Sequence, residues 1–224
     1  MTRPVIALDG PAGAGKSTVA RRVAQALGLL FLDTGAMYRA LTWKALEQGL
    51  DLTDEDALTR LAEQSQIELV ADPAGDRTRI DGQDVTTEIR TPRVTSRVSE
   101  VAKVPGVRQV LVRLQQELGR DGGVVAEGRD IGTVVFPKAD VKVFLVASPA
   151  ERARRRAKDL EAAGHPVDLQ ALEADIARRD EIDSTRAVAP LKPAEDAVLI
   201  DSDRLTIDEV VAAILALVPQ ATKS

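Results

Sequence analysis

Val5-Ile6-Ala7-Leu8-Asp9-Gly10-Pro11-Ala12-Gly13-Ala14-Gly15-Lys16-Ser17-Thr18 runs a short apolar segment straight into a complete G-x-x-x-x-G-K-[ST] string. Gly10, Gly13 and Gly15 open backbone conformations closed to other residues, so successive N–H groups can point inward at a phosphate chain. Lys16 supplies a mobile positive charge for β and γ phosphates, and the Ser17 hydroxyl is placed to hold Mg²⁺. Beyond the loop, Val19, Ala20, Val23, Ala24 and Leu27 fall on one face of a helix stopped by Gly28, which sets its positive end against the anion.

Further apolar runs occur at Leu29 to Leu32, Val124 to Ala126, Val141 to Val146 and Val198 to Ile200, with helical periodicity between them. Short strands alternating with amphipathic helices predict an α/β fold, a five-stranded parallel sheet covered on both faces. Ser148, Pro149 and Glu151 read as N-cap, first-turn proline and capping box; Thr206 with Glu209 forms a second box, and Thr91-Pro92 starts another helix. Gly49, Gly119 and Gly164 sit where helices should stop. One stretch departs from this rhythm. Ile67 to Val70, Arg77 to Ile80 and Gln83 to Val85 are β-like, separated by Asp72-Pro73-Ala74-Gly75-Asp76 and by the hairpin signal Asp81-Gly82. They predict a small antiparallel insert, continued by one helix from Pro92 to about Lys103 with Val94, Val98 and Val101 on its apolar face. Inserts of this kind usually cover or select a ligand.

The length of 224 residues fits one domain with an ample core. No segment has the apolar length to cross a bilayer, and Asp9 and Gly10 interrupt the N-terminal run, so a cytoplasmic protein without a signal peptide is expected. There is no cysteine, and the single histidine, His165, reads as a solvated loop residue. Thiolate chemistry and cysteine- or histidine-clustered metals are thereby excluded. A net charge of −5 and 2% aromatic residues argue against nucleic acid as a partner.

Four clusters carry the remaining chemistry. Asp33-Thr34-Gly35-Ala36-Met37-Tyr38-Arg39 puts Thr34 and Arg39 at a carboxyl end of the sheet, where doubly wound folds bind ligands; a capped helix with a solvent-facing arginine is the plainer alternative. Glu127-Gly128-Arg129-Asp130 ends the third strand of the sheet and leads into Ile131-Gly132-Thr133-Val134-Val135-Phe136-Pro137. A carboxylate beside a phosphate loop is where Mg²⁺ or its water shell is held, and Glu127 and Asp33 both qualify. Arg129 and Asp130 read either as ligand groups or as an ion pair in a tight loop. Arg152, Arg154, Arg155, Arg156 and Lys158 place five cations in seven residues, with Arg152, Arg155 and Arg156 on one helix face. They form either solvated surface or a flap whose arginines reach a γ phosphate. Arg179, Asp183 and Arg186 share a stripe if their helix reaches that far, which also fits an intrahelical salt-bridge ladder. Arg108 is unremarkable alone.

Arginines gathered round a phosphate loop suit a site where two anionic substrates meet. An acceptor that is itself a phosphate monoester is largely ionised at pH 7, its second pKa being about 6, and needs no general base. A GTPase switch would read guanine with an N-K-x-D segment, whereas this chain contains no asparagine and no T-K-x-D variant. A motor or transport ATPase wants an oligomeric or multidomain setting for which this length leaves little room, and the H-R-D and D-F-G motifs of protein kinases are missing. A kinase of another small metabolite on the same scaffold stays open on these grounds.

GPAGAGKST, DTGAMYR, EGRDIGTVVFP and RRDEIDSTRAVAPL, in this order and spacing, resemble the bacterial cytidylate kinases, a branch of the nucleoside monophosphate kinases, over nearly the whole chain. The phosphate loop is shared with many other proteins, while EGRDIGTVVFP and RAVAPL are specific to this family. The resemblance implies a three-layer P-loop kinase fold, one domain over 1–224, with an antiparallel monophosphate-binding insert at 65–101 and a helical lid at 149–170. It implies that a monomer transfers the γ-phosphoryl group of ATP to CMP or dCMP with Mg²⁺. On the same footing, Gly10 to Thr18 would hold the ATP phosphates, and Thr34, Arg39 and Arg129 would grip the CMP phosphate. Ser99, Arg108 and Asp130 would read cytosine, and Arg179 with Asp183 would hold the sugar hydroxyls. Lys16, Arg129, Arg155, Arg156 and Arg186 would be the catalytic cations, and Ser17, Asp33 and Glu127 the metal side. Some relatives carry serine in place of Thr34 and aspartate in place of Glu127. Cytosine offers an amino donor at position 4 and an acceptor at N3, so a carboxylate with a cation matches it and mismatches uracil.

Overall fold

Strand β1 (Arg3–Asp9) occupies the middle of a five-stranded sheet in the computed structural model of the protein, which describes residues 3–72, 76–162, 164 and 166–219. With β2 (Leu30–Asp33), β6 (Gly122–Gly128), β7 (Val141–Val146) and β8 (Val198–Asp201) it gives the order β2-β6-β1-β7-β8, and every pairing is parallel. All five apolar runs form the strands expected of them. Pro73, Ala74, Gly75 and His165 lie outside the described residues.

Alternation along β1 produces the three layers. Ile6 and Leu8 pack with Val125, Val143 and Leu145 beneath α1 (Lys16–Leu27) and α9 (Ile207–Leu217). Ala7 faces the other way and packs with Leu32, Val124, Ala126 and Ile131. The face of α1 chosen from its spacing is the buried one, and Gly28 is its C-cap. A second core lies to the side, where α2 (Thr34–Glu47), α3 (Glu55–Gln64) and α6 (Pro105–Leu118) enclose Leu41, Leu58 and Leu111.

The insert rests on this second core. Its antiparallel sheet comprises β3 (Ile67–Val70), β4 (Arg77–Ile80) and β5 (Gln83–Asp84). Asp81 and Gly82 both have positive φ, 51° and 79°, the twisted two-residue turn that right-twisted strands require. The single helix expected from Pro92 to Lys103 is in fact two, α4 (Pro92–Thr95) and α5 (Val98–Ala102). The Arg97 N–H closes on Val94 O and the Glu100 N–H on Arg97 O, both at 3.1 Å, so the chain tightens and re-aims between them. Val94, Val98 and Val101 are nonetheless all buried, and their burial outweighs the weak helix propensity of this β-branched segment.

Two long helices, α7 (Pro149–Ala162) and α8 (Leu169–Thr185), lie between β7 and β8. The capping box expected at the start of α7 is half formed. The Glu151 N–H donates to Ser148 Oγ at 3.3 Å, but Asp203 takes the Ser148 N–H and the Glu151 carboxylate turns to Arg154 and Arg155. The Thr206–Glu209 box is complete. Gly119 closes α6 with φ −104°, without the left-handed turn a helix-stopping glycine usually makes. Among the described residues no helix is long and apolar enough to cross a membrane.

Candidate active site

Sheet register brings three strand ends to one level. Glu127 sits opposite both Leu8 and Asp33, and Asp9 sits opposite Gly128, so Asp9, Asp33 and Glu127 line one edge beside the phosphate loop. Gly10 turns the chain out of β1 with φ 146°, where a Cβ would lie 2.1 Å from the Leu145 carbonyl oxygen. Gly15, left-handed at φ 92°, caps α1 without a side chain, so the first-turn N–H groups can serve an anion. Lys16 folds back across the loop and donates to the Pro11 carbonyl at 2.7 Å. Burial, then the neighbouring Arg129 cation, pushes its ammonium down to about 7 against the pull of Glu127 and Asp9.

The three acids differ in what they touch. Asp9 accepts the N–H groups of Ile131 and Gly132 at 2.8 and 2.7 Å. Asp33 caps α2 through the Ala36 N–H at 2.8 Å and pairs with Arg39 at 2.9 Å and Arg90 at 3.4 Å. Its burial favours the neutral acid, but Arg39 and then Arg90 outweigh it and hold the carboxyl below the usual carboxylate range. Glu127 has one oxygen, Oε1, buried with no hydrogen-bond partner. Burial and then Asp33 push it up, opposed by Lys16 and a hydrogen bond with Ser17. An orphaned carboxylate oxygen beside Ser17 fits a hard divalent cation or a water bound to one. Asp33, the other expected metal-side residue, has both oxygens engaged by the cap and the arginines. No group of three His, Cys, Asp or Glu side chains able to cage a metal occurs among the described residues; Mg²⁺ is ordinarily held by one or two carboxylates, phosphates and water.

Arg129 and Asp130 do not pair with each other. Arg129 Nε donates to Asp183 Oδ2 at 2.9 Å, which displaces the intrahelical ladder as the use of Asp183. Asp130 is buried between Arg108, which donates to Oδ2, and Arg186, 3.4 Å from Oδ1. Arg108 reaches this place because it lies on the buried face of α6, and its guanidinium stands 5.8 Å from the Tyr38 ring centroid. Arg186 lies one residue beyond α8 as its C-cap, its side chain turned inward. Ser99 donates to Asp183 Oδ1 at 3.3 Å, and Thr34 donates to the Glu127 carbonyl at 2.7 Å. Arg179 faces the cavity with Nε buried and unpartnered, and burial followed by Arg129 lowers it to about 10.

The arginines of α7 divide. Arg152, read from its spacing as solvated surface or as part of a flap, is instead buried, donating to Ala12 O and Ala147 O at 3.1 Å each and pairing with Asp180 at 2.7 Å. Arg155 pairs with Glu151 at 2.7 Å and donates to Ala14 O and to Ser202, while Arg156 lines the cavity. One cavity, of about 780 Å³, is walled by Ala12 to Val19, by Arg39, Arg90, Arg129 and Arg179, and by Ser202 to Ile207.

The sequence model of the family described as Cytidylate kinase matches residues 6–220. The chain belongs to the cytidylate kinase family. It is 59% identical to a cytidylate kinase of Desulforamulus reducens, over 95% of this chain and 96% of that one. It is 58% identical to a bifunctional pantoate ligase/cytidylate kinase of Synechococcus sp. (strain JA-3-3Ab), covering 97% of this chain and 41% of that protein. The chain thus spans about two fifths of the length of the bifunctional relatives it matches. A solved gluconokinase from Sinorhizobium meliloti 1021 superposes with a TM-score of 0.50 at 17% identity, over 96% of this chain and 91% of that one, a likeness of fold alone.

Within this cytidylate kinase fold, the structure gathers Lys16, Ser17, Asp33, Arg39, Glu127, Arg129, Arg155, Arg156 and Arg179 around one cavity. Thr34, Ser99, Arg108, Asp130, Asp183 and Arg186 are buried and hydrogen-bonded and are not among the residues that line it. Asp9, Ser202 and Arg90 are among the residues of the site that the sequence reading missed. Asp9 carries a signal in retrospect, an acid closing an apolar strand. Ser202 follows a strand end, where such sheets bind ligands. Arg90, just ahead of Thr91-Pro92 in the insert, has no signal of its own.

Proposed function

We propose that the chain transfers the γ-phosphoryl group of ATP to CMP or dCMP, giving CDP or dCDP and ADP. The observation that carries this reading is the shared cavity, with the phosphate loop on one wall and Arg39, Arg129 and Arg179 on another. A donor on the loop would meet an acceptor phosphate held by the arginines, and such transfer needs positioning and charge stabilisation more than covalent help. Lys16, neutralised in part by burial, regains its full charge beside phosphates and supports the β and γ oxygens. The acceptor arrives ionised, so no residue has to remove a proton. Mg²⁺, when bound, neutralises charge on the donor phosphates; Ser17 and Glu127 are the residues that would hold it or its water shell.

Asp130 with Arg108 and Ser99 suits cytosine, whose donor and acceptor match a carboxylate and a cation. Arg179 and Asp183 suit the sugar hydroxyls, and Arg186 the transferring group. Residues 65–101 are taken as the acceptor-binding insert and 149–170 as the lid. One assay tests the whole reading: ATP and Mg²⁺ with CMP, dCMP, UMP, AMP and GMP in turn. CMP and dCMP are expected to be phosphorylated fastest, and turnover of none of the five overturns the proposal.

A further inference from the structure

We propose that Arg90 is a ligand of the acceptor's phosphate, parked on Asp33 until that phosphate arrives. The inference rests on the kinase reading above and extends the acceptor half of its site into the insert.

The backbone under Arg90 is held by the core, while its side chain is half-exposed and makes one long contact. Arg90 ends the short 3₁₀ turn Glu88–Arg90, whose middle residue, Ile89, is fully buried in the second core. Its N–H is bonded to Thr87 O at 3.1 Å. The side chain, 53% exposed, leans over the cavity and reaches Asp33 Oδ2 at 3.4 Å, an oxygen already taken by Arg39 at 2.9 Å. It is therefore the longer of two contacts on one oxygen, and a half-exposed ion pair of this kind contributes little. Exchanging it costs correspondingly little.

Charge balance points the same way. Two guanidinium groups, Arg39 and Arg90, share the single carboxylate of Asp33 on the wall that also carries Arg129. A phosphate monoester dianion brings three strong acceptor oxygens, and a guanidinium fork can give two parallel bonds to it. Substituting that dianion for the shared carboxylate lets each arginine make stronger, unshared bonds.

Arg90→Ala and Arg90→Lys are compared with the unmodified protein by titrating CMP and ATP, and cytidine as a competitor of CMP. Expected for Arg90→Ala is a rise of about 10- to 100-fold in the CMP dissociation constant, the loss of a hydrogen-bonded charge. Cytidine, which lacks the phosphate, and ATP should bind within about twofold of the parent, and Arg90→Lys should recover part of the CMP affinity. CMP binding unchanged in Arg90→Ala overturns the assignment. Equal weakening of CMP and cytidine also overturns it, because Arg90 would then only brace the insert. Failure of the unmodified protein to phosphorylate CMP despite binding it counts against the functional reading alone; failure to bind CMP at all removes both.

Discussion

Asp9 Oδ2 accepts the backbone N–H of Gly132 at 2.7 Å, tying the last residue of β1 to the π-helical turn Ile131–Val135. With the Ile131 N–H on the other oxygen, one carboxylate fixes the start of the turn that immediately follows Arg129 and Asp130. The glycine-rich loop begins at the next residue, so the loop and this turn share one anchor.

Asp9→Ala leaves two buried N–H groups without partners, at about 1–3 kcal/mol each. Denaturant titration should show the midpoint falling, and kcat should drop with Arg129 displaced. Burial raises the Asp9 carboxyl from 3.8 to about 6, against the bonds from Gly132 and Ile131. The folded protein therefore holds a proton here that the unfolded chain has lost, and this contribution to stability declines as pH rises from about 4 to 6. Asp9→Asn should flatten that decline; an unchanged slope refutes it.

Arg152 and Arg154 should behave oppositely on truncation although they are two residues apart. Removing Arg152 leaves Asp180 and the Ala12 carbonyl unpartnered in a largely buried place, at about 2–4 kcal/mol, and weakens ATP binding by loosening the loop. Arg154 is exposed and, among the described residues, pairs along the helix surface with Glu151, so Arg154→Ala should leave the melting temperature nearly unchanged. Thermal melting of the two variants decides the matter.

Asp130→Ala strips the shared partner from Arg108 and Arg186, leaving two buried cations facing each other. A loss of about 3–5 kcal/mol of stability is expected. At temperatures where the variant stays folded, the preference for cytidine nucleotides should fall more than ATP affinity. Equal losses for both would remove Asp130 from base recognition.

Lys16, lowered to about 7 by burial and Arg129, is partly neutral at pH 8 before nucleotide binds. Phosphates restore its charge, so ATP binding should take up protons above pH 7. Calorimetry in two buffers of different ionisation enthalpy measures this, and the uptake should vanish in Lys16→Met. Because its ammonium is lowered, the folded state binds fewer protons than the unfolded chain between about pH 7 and 10.5, so Lys16 makes stability rise with pH there.

The layers were legible because strands buried on both faces leave unbroken apolar runs, as Val124 to Ala126 does. Asp81-Gly82 was legible because only certain residues tolerate its backbone. What sequence could not supply was partner choice. Nothing in the adjacency of Arg129 and Asp130 says that one turns to Asp183 and the other to Arg108, which are distant in the chain. Nor does a run of arginines reveal which member is structural; Arg152 is buried because it follows Ser148 by one helical turn, against the loop. The break at Ser96-Arg97 was invisible because the apolar spacing survives it.

A peptide unit is planar, so fixing its oxygen also fixes the hydrogen across it. Arg152 holds the oxygen of Ala12 and Arg155 that of Ala14, both from α7. Through those two planes, α7 sets the bearings of the Gly13 and Gly15 N–H groups before any nucleotide arrives. Rotation of α7 would thus steer the loop's donors directly, making the helix a rudder for the phosphate cradle.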